Sequence, residues 1–413
     1  MTSLPPSLLI LGGSTRSAAA SAVRAGFQPI CADRFGDEDL RRLATVLPVR
    51  DYPHGLLAAV ESLPPTPWLY VGAIENEPEL IEAISRRHPL LGNSSEVLQR
   101  VRDPFWLSRT LGTHELPALR SVPENELPLS QDGWLMKPIR SGGGLGIRLW
   151  NGVRRESEHG VYFQEQRAGR PISALFIASS SGVRNVGVCE QLIGQSVGAP
   201  MEFGYAGSIG PIDVSRITLE LIEQIGTVLA NEARLRGLFG CDFILADDVP
   251  WLTEVNPRYT ASVEVLERAT NWPLLKWHVM ACHSEQLEAD LPLEGDDPQT
   301  ATPTSQRTIV GKRIVFATTD VLAPDLEKLM AEEPGRSAWR AIDQEPWLAD
   351  IPAPDSLISA GWPICTVFAH AASVLDCRDL LERRANAIKQ WVEVRARKLL
   401  PDADVSNPKR ERG

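Results

Sequence analysis

Two stretches of the sequence assemble residue types able to handle a polyphosphate. The first reads Trp134-Leu135-Met136-Lys137-Pro138-Ile139-Arg140-Ser141-Gly142-Gly143-Gly144-Leu145-Gly146-Ile147. An apolar strand delivers one lysine, and a loop with four glycines in five residues follows. Without Cβ atoms, backbone N–H groups can turn together onto an anion. The lysine adds a point charge for a phosphate. It precedes the glycines, and no Gly-Lys-Ser/Thr follows, so this is not a P-loop. The competing reading is a β-hairpin with a loose tip.

The second stretch is Gly240-Cys241-Asp242-Phe243-Ile244-Leu245-Ala246-Asp247-Asp248-Val249-Pro250-Trp251-Leu252-Thr253-Glu254-Val255-Asn256-Pro257-Arg258. Two strands flank an Asp-Asp-Val-Pro turn, in which Asp247 and Asp248 serve the turn. Asp242 begins one strand and Glu254 ends its partner, so an antiparallel pairing brings them together. Glu254 and Asn256, two apart on a strand, face the same side. Three side-chain oxygens then converge, a set that suits Mg²⁺ bound together with nucleotide phosphates. Taken singly, each acid also reads as an ordinary strand-edge or exposed residue.

These residues need a scaffold. Residues 7–11 are an apolar run without alternation, as in a strand buried on both faces. Gly12-Gly13-Ser14-Thr15 ends it, a helical stretch over 16–25 follows, and a second strand over 29–32 ends at Asp33. That is a βαβ unit with a parallel sheet. The glycine spacing is not GxGxxG, so a dinucleotide site with Asp33 on a ribose is the weaker reading and a tight turn the stronger. A strand over 68–71 and a helix over 78–87 continue the alternation. The expected division is 1–95, then 96–283 with a lid at about 116–162, a linker at 284–308, a small domain over 309–400 and a polar tail at 401–413. The linker rests on Pro, Thr, Gln and the six acids and no base of 285–297.

Composition narrows the classes. The 413 residues are 43% hydrophobic and 23% charged, enough for several packed domains. Fifty-three acids against 42 bases leave a net charge of −11, which disfavours nucleic acid as a partner. Six scattered cysteines without CxxC spacing read as reduced thiols, not a disulfide scaffold or zinc ribbon. His278 and His283 are five apart and do not share a helix face, which argues against a zinc pair. No apolar run reaches the ~20 residues of a membrane span, and no signal peptide opens the chain. A cytoplasmic protein without a membrane partner is expected.

The two stretches together resemble the ATP-grasp superfamily of ligases. Lys137-Pro138 with Ser141-Gly142-Gly143-Gly144-Leu145-Gly146 is similar to its lysine and glycine-rich flap. Asp242, Glu254 and Asn256 match its D…E-x-N-P-R metal pattern, and Arg258 its following arginine. Val161-Tyr162-Phe163-Gln164-Glu165-Gln166-Arg167-Ala168-Gly169 resembles the hinge strand that reads the adenine edge. The order of these parts matches, and the likeness reaches the predicted carboligases related to biotin carboxylase. It implies α/β and α+β architecture: a Rossmann-like N-terminal domain, an ATP-grasp fold and a small C-terminal α+β domain. Two positions depart from the pattern. Arg102 stands where many members have a first lysine, and Pro171 where many have an acid for the ribose.

The resemblance also implies a reaction. ATP would be held by Lys137, by Ser141, Gly142, Gly143, Gly144 and Gly146 of the flap, and by Gln164, Glu165, Gln166 and Arg167 of the hinge. Mg²⁺, replaceable by Mn²⁺, would sit on Asp242, Glu254 and Asn256. A small-molecule carboxylate would become an acyl phosphate and join an amine, with Lys137 and Arg258 as catalytic residues. Ser14, Thr15 and Arg16 are candidates for an anionic substrate group, and Glu75 and Asn76 for an amine. Glutamate addition in one-carbon cofactor biosynthesis is one candidate reaction. Bicarbonate-dependent carboxylation and non-catalytic nucleotide binding are the alternatives, and a homodimer is among the allowed assemblies.

Overall fold

A computed structural model describes residues 6–126, 132–153, 160–283, 308–326, 328 and 346–399. Most of the expected linker, and the expected tail at 401–413, lie outside them. The expected mixed α/β architecture is present. Four short strands, β1 (Ser7–Gly12), β2 (Gln28–Asp33), β3 (Thr45–Pro48) and β4 (Trp68–Tyr70), form a parallel sheet in the order β3-β2-β1-β4. Leu8, Leu9, Ile10 and Leu11 are all fully buried, because helices cover both faces of this sheet.

A second sheet carries the flap. It pairs β5 (Ser121–Pro123), β6 (Trp134–Pro138), β7 (Arg148–Leu149) and β8 (Val161–Glu165) in the order β5-β8-β6-β7. The large sheet begins with β9 (Arg170–Ser179), β10 (Gly182–Ile193), β11 (Tyr205–Gly210), β12 (Gly237–Ala246) and β13 (Val249–Asn256). It continues through β14 (Ile309–Phe316), β16 (Leu348–Ala349) and β18 (Pro363–Ala371), while β15 (Val321–Leu322) and β17 (Leu357–Ile358) pair apart. The order is β13-β12-β9-β10-β11-β14-β18-β16. Because β14 pairs with β11, strands on both sides of residues 284–308 share one sheet.

The β12–β13 hairpin turns at Asp247 and Asp248, both at positive φ (50° and 60°), the handedness that matches strand twist. Asp242 pairs directly with Glu254 across it. The expected helix over 16–25 is Arg16–Arg24, and it packs on helices Ala261–Thr270 and Leu274–His283 in a shared core that includes Leu8, Ile10, Leu175 and Leu266. The N-terminal sheet is therefore fixed to the large sheet by apolar burial.

His278 ties the same junction by hydrogen bonds. Its Nδ1 accepts from the Leu238 N–H at 2.8 Å, and its Nε2 lies 3.1 Å from the Leu91 carbonyl. Burial pushes its pKa down to about 4, so the folded ring stays neutral. The unfolded chain, with an ordinary value of ~6.5, binds the extra proton. Stability is full above about pH 6.5 and falls as pH drops toward 4, by about 3 kcal/mol in total. A His278→Gln protein should show a flatter urea-unfolding stability curve over that window, by about one proton. Equal slopes for the two proteins would remove His278 from the account.

Candidate active site

Strand β6 ends by pointing Lys137 inward, where only 7% of the residue is exposed. Its ammonium lies 3.0 Å from Gln164 Oε1 on the neighbouring strand β8 and 3.4 Å from the Thr253 carbonyl. Beyond Pro138 the chain enters the glycine loop. Gly144 has φ +83°, and a Cβ there would meet the Phe203 carbonyl oxygen at 1.9 Å. The neighbouring Gly143 accepts from the Tyr205 N–H at 3.1 Å. The flap is thus laid against the loop before β11, and Gly144 is required for that approach.

The hairpin supplies the acids. Asp242 Oδ1 accepts from Gln191 Nε2 at 2.9 Å, and Oδ2 from Asn256 Nδ2 at 3.0 Å. Asn256 Oδ1 accepts from Arg258 Nη2 at 3.1 Å. Glu254 accepts from the Arg102 guanidinium, whose other nitrogen reaches Asn76 Oδ1 at 2.9 Å and the Ser141 carbonyl at 2.8 Å. Arg102 thereby joins hairpin, flap and N-terminal domain at the position where the sequence has no lysine. Arg258 in turn grips Glu75, with Nε–Oε1 at 2.8 Å and Nη2–Oε1 at 2.6 Å.

Lys137, Gly143, Gly144, Gln164, Glu165, Gln166, Arg167, Asp242, Glu254, Asn256 and Arg258 all line one cavity of about 300 Å³. That is the lower end of the range for small-molecule sites. Apolar side chains of Leu119, Leu135, Phe243 and Ile244 line it too, as does Pro171. Along the hinge, Glu165 and Gln166 donate their N–H groups to the Arg120 and Gly133 carbonyls, and the Arg167 guanidinium lies 4.3 Å from the Trp251 ring centre. Ser141, Gly142 and Gly144 also border a smaller adjoining hollow of about 40 Å³ with Arg102 and Glu254.

The acid pair fits a divalent cation. Burial first, and the facing Glu254 second, push the Asp242 carboxyl up to about 7, against the pull of Arg258 and Lys137. The two carboxylates are hard donors. The expected third oxygen does not join them here, because the Asn256 amide turns its nitrogen to Asp242 and its oxygen to Arg258, and it would ligate only after turning over. A cation there would offset the repulsion that the nearby cations leave unrelieved.

The other substrate candidates are placed differently. Thr15 is fully buried, and both its N–H (2.6 Å) and its hydroxyl (2.8 Å) donate to Asp33 Oδ2. Asp33 Oδ1 takes the Phe35 and Gly36 N–H groups, so this acid holds a turn together. Arg16 is 2% exposed and pairs with Glu264 and Asp350; Arg268 and Lys312 also approach Glu264. Burial opposes the charge on Glu264, but Arg16, Arg268 and Lys312 hold its carboxyl well below the usual range. Ser14, Thr15 and Arg16 are absent from the cavity lining, and the last two bind the segments to one another. Glu75 and Asn76 are absent from the lining too, and are tied to the site as partners of Arg258 and Arg102. Gln191, on Asp242, carries no local sequence signal, because only the β9–β10 pairing brings it there.

A lysine before a glycine flap, facing two acids and an amide on an antiparallel hairpin, is the arrangement of an ATP-grasp domain. Residues 105–262 match the family of that description, and the chain carries an ATP-grasp domain. It is 25% identical over 240 residues to an uncharacterized protein of Methanocaldococcus jannaschii, covering 57% of this chain and 50% of the other. The match thus spans about half the length of that relative. Over 94% of this chain and 98% of the other, the fold is similar to an L-amino acid ligase from Bacillus licheniformis, with TM-score 0.65 and 14% identity. N5-carboxyaminoimidazole ribonucleotide synthetase from Thermus thermophilus gives 0.62 and 15% over 92% and 98%. The biotin carboxylase domain of the Hydrogenobacter thermophilus 2-oxoglutarate carboxylase gives 0.62 and 13% over 90% and 87%. At these identities the likeness is one of fold. Among the described residues, no helix is long and apolar enough to cross a membrane.

Proposed function

We propose that this protein is an ATP-dependent ligase that activates a small-molecule carboxylate as an acyl phosphate and joins it to an amine. The observation that carries the reading is the convergence of Lys137, Asp242, Glu254, Asn256 and Arg258 on one cavity beneath the flap. A substrate carboxylate oxygen attacks the γ-phosphorus, and the bond to the β-phosphate oxygen breaks, releasing ADP. The amine nitrogen then attacks the acyl carbon, inorganic phosphate leaves, and the nitrogen loses a proton. Positioning and charge neutralisation dominate such transfers.

Lys137 places its ammonium on the triphosphate, and the flap N–H groups close over it. Arg258, a fork that keeps its charge when buried, steadies the phosphate of the acyl phosphate. Asp242 and Glu254, with Asn256 once its amide oxygen is turned to them, would hold Mg²⁺, which would offset the negative charge of the phosphates. No nucleophilic side chain takes part.

The test is a screen for Mg²⁺-dependent ADP formation, with amino acids (glutamate among them), small carboxylates and bicarbonate as separate additions. Stimulation by a carboxylate–amine pair supports the reading; stimulation by bicarbonate alone replaces it with a carboxylase. The Lys137→Ala protein should lose about a hundredfold in kcat/KM for ATP, from one charge-assisted phosphate contact of about 3 kcal/mol. Wild-type kinetics in that variant would detach the flap lysine from the nucleotide.

A further inference from the structure

Beyond the cavity, the carboxyl ends of the parallel strands carry polar groups that the proposed nucleotide chemistry leaves unused. In spatial order they are Tyr52 after β3, Arg34 after β2, Gly13 after β1 and Glu75 after β4. This edge of a parallel sheet is where ligands of such sheets lie. We propose that Arg34 is the anion-binding residue for the amine substrate, gripping a carboxylate or phosphate borne by that molecule. The proposal rests on the ligase reading and names the substrate's chemical class.

Arg34 is exposed, yet its guanidinium is held in place. It lies 4.5 Å from the ring centre of Trp362, 5.7 Å from Tyr52 and 5.9 Å from Phe35. Phe35 and Trp362 also pack edge to face at 6.0 Å. The rings come from both ends of the chain, and they orient the planar cation without occupying its N–H donors. The backbone beneath is fixed by Asp33, which binds the N–H groups of Phe35 and Gly36. Among the described residues, no carboxylate pairs with Arg34. The nearest acid in sequence, Asp33, already accepts four hydrogen bonds. A pre-oriented guanidinium with unused donors matches a carboxylate or phosphate.

Two orphaned atoms extend the path toward Arg258. The Tyr52 hydroxyl and Glu75 Oε2 are buried and, among the described residues, have no hydrogen-bond partner. A buried polar atom of this kind is costly to leave unpaired, so a ligand group that pairs with it gains by doing so. Arg34 lies 5.7 Å from the Tyr52 ring centre, the Tyr52 hydroxyl stands beside Gly13 at the end of β1, and Glu75 after β4 is paired with Arg258. A small molecule with its anion on Arg34, and an ammonium or hydroxyl on Tyr52 and Glu75, would have its amine beside Arg258.

The full-length protein is titrated calorimetrically with inorganic phosphate and, separately, with succinate. ADP and Mg²⁺ are present to fill the nucleotide cavity, and ionic strength is fixed with chloride. One of the two anions should bind the wild type saturably and thereby identify the group. Arg34→Met should weaken that binding at least tenfold, and Trp362→Ala about threefold, with unchanged thermal midpoints. Equal affinity in wild type and Arg34→Met, or no binding of either anion above chloride, overturns the proposal. ADP affinity is measured alongside: Arg34→Met keeps it and Lys137→Ala loses it. Failure of ADP to bind the wild type would sink the ligase reading, and the anion titrations would still decide Arg34's role as an anion site.

Discussion

The Glu254→Gln protein is expected to fold like the wild type and to lose Mg²⁺-dependent ATP turnover by roughly a thousandfold, about 4 kcal/mol in transition-state stabilisation. The fold survives because glutamine keeps the shape and an acceptor oxygen, so Arg102 retains a partner there. Glu254 is also one-third exposed, so the exchange leaves no unsolvated cavity. What goes is one of the two negative charges opposed across β12 and β13. With Asp242 alone, the hairpin offers a single carboxylate and two neutral amides, a poor set for a hard dication. The buried cations Lys137 and Arg258 cannot compensate, since they repel a metal ion. The measurement is the initial rate of ADP formation over a Mg²⁺ titration, with thermal unfolding as the control for folding. Turnover within tenfold of wild type, in a folded variant, would mean the metal is held elsewhere.

The parts of this site that could be read from the chain were those encoded in short windows. Lys137 and the flap lie within ten residues, and the hairpin's turn and paired acids within seventeen. Strand alternation and turn chemistry place such residues without knowledge of the rest of the molecule. The buried runs of β1 and β2 and the helix between them were legible for the same reason. Short β3 and helix Gly55–Val60 were not, because neither is long enough to show a period. Contacts between distant segments were equally hidden. Arg16 was expected to face a substrate from a helix start. It turns instead to Glu264 and Asp350, 248 and 334 residues away, and nothing near residue 16 encodes those acids. Gln191 reaches Asp242 only through the register of β9 with β10 and β12. Arg102 shows the intermediate case: its charge at that position could be noticed, but its grip on Glu254 and Ser141 depends on the folded flap.

Arg258 is a buried ion-pair partner and, in the proposed reaction, the cation on the acyl phosphate; one substitution would confound the two, and a pair of substitutions separates them. Its guanidinium is paired with Glu75, whose side chain is fully buried. Burial opposes the charge on Glu75, and Arg258 more than offsets it, holding the carboxyl below its usual range. Arg258→Met therefore strands a buried carboxylate and should destabilise the fold by about 3–5 kcal/mol in urea unfolding. The Glu75→Gln, Arg258→Met protein contains neither charge, and most of that loss should be recovered, because an apolar or neutral pair in place of a buried ion pair is often tolerated. Activity should not return with stability. Arg258 also fixes the Asn256 amide, at 3.1 Å, so that its nitrogen faces Asp242, and it lines the cavity with both hairpin acids. The expected double variant is stable, binds ADP and forms almost no product. If it instead turned over at the wild-type rate, Arg258 would be a fastener between the N-terminal domain and the hairpin, and the acyl phosphate would have to find its positive charge in Lys137 or Arg102.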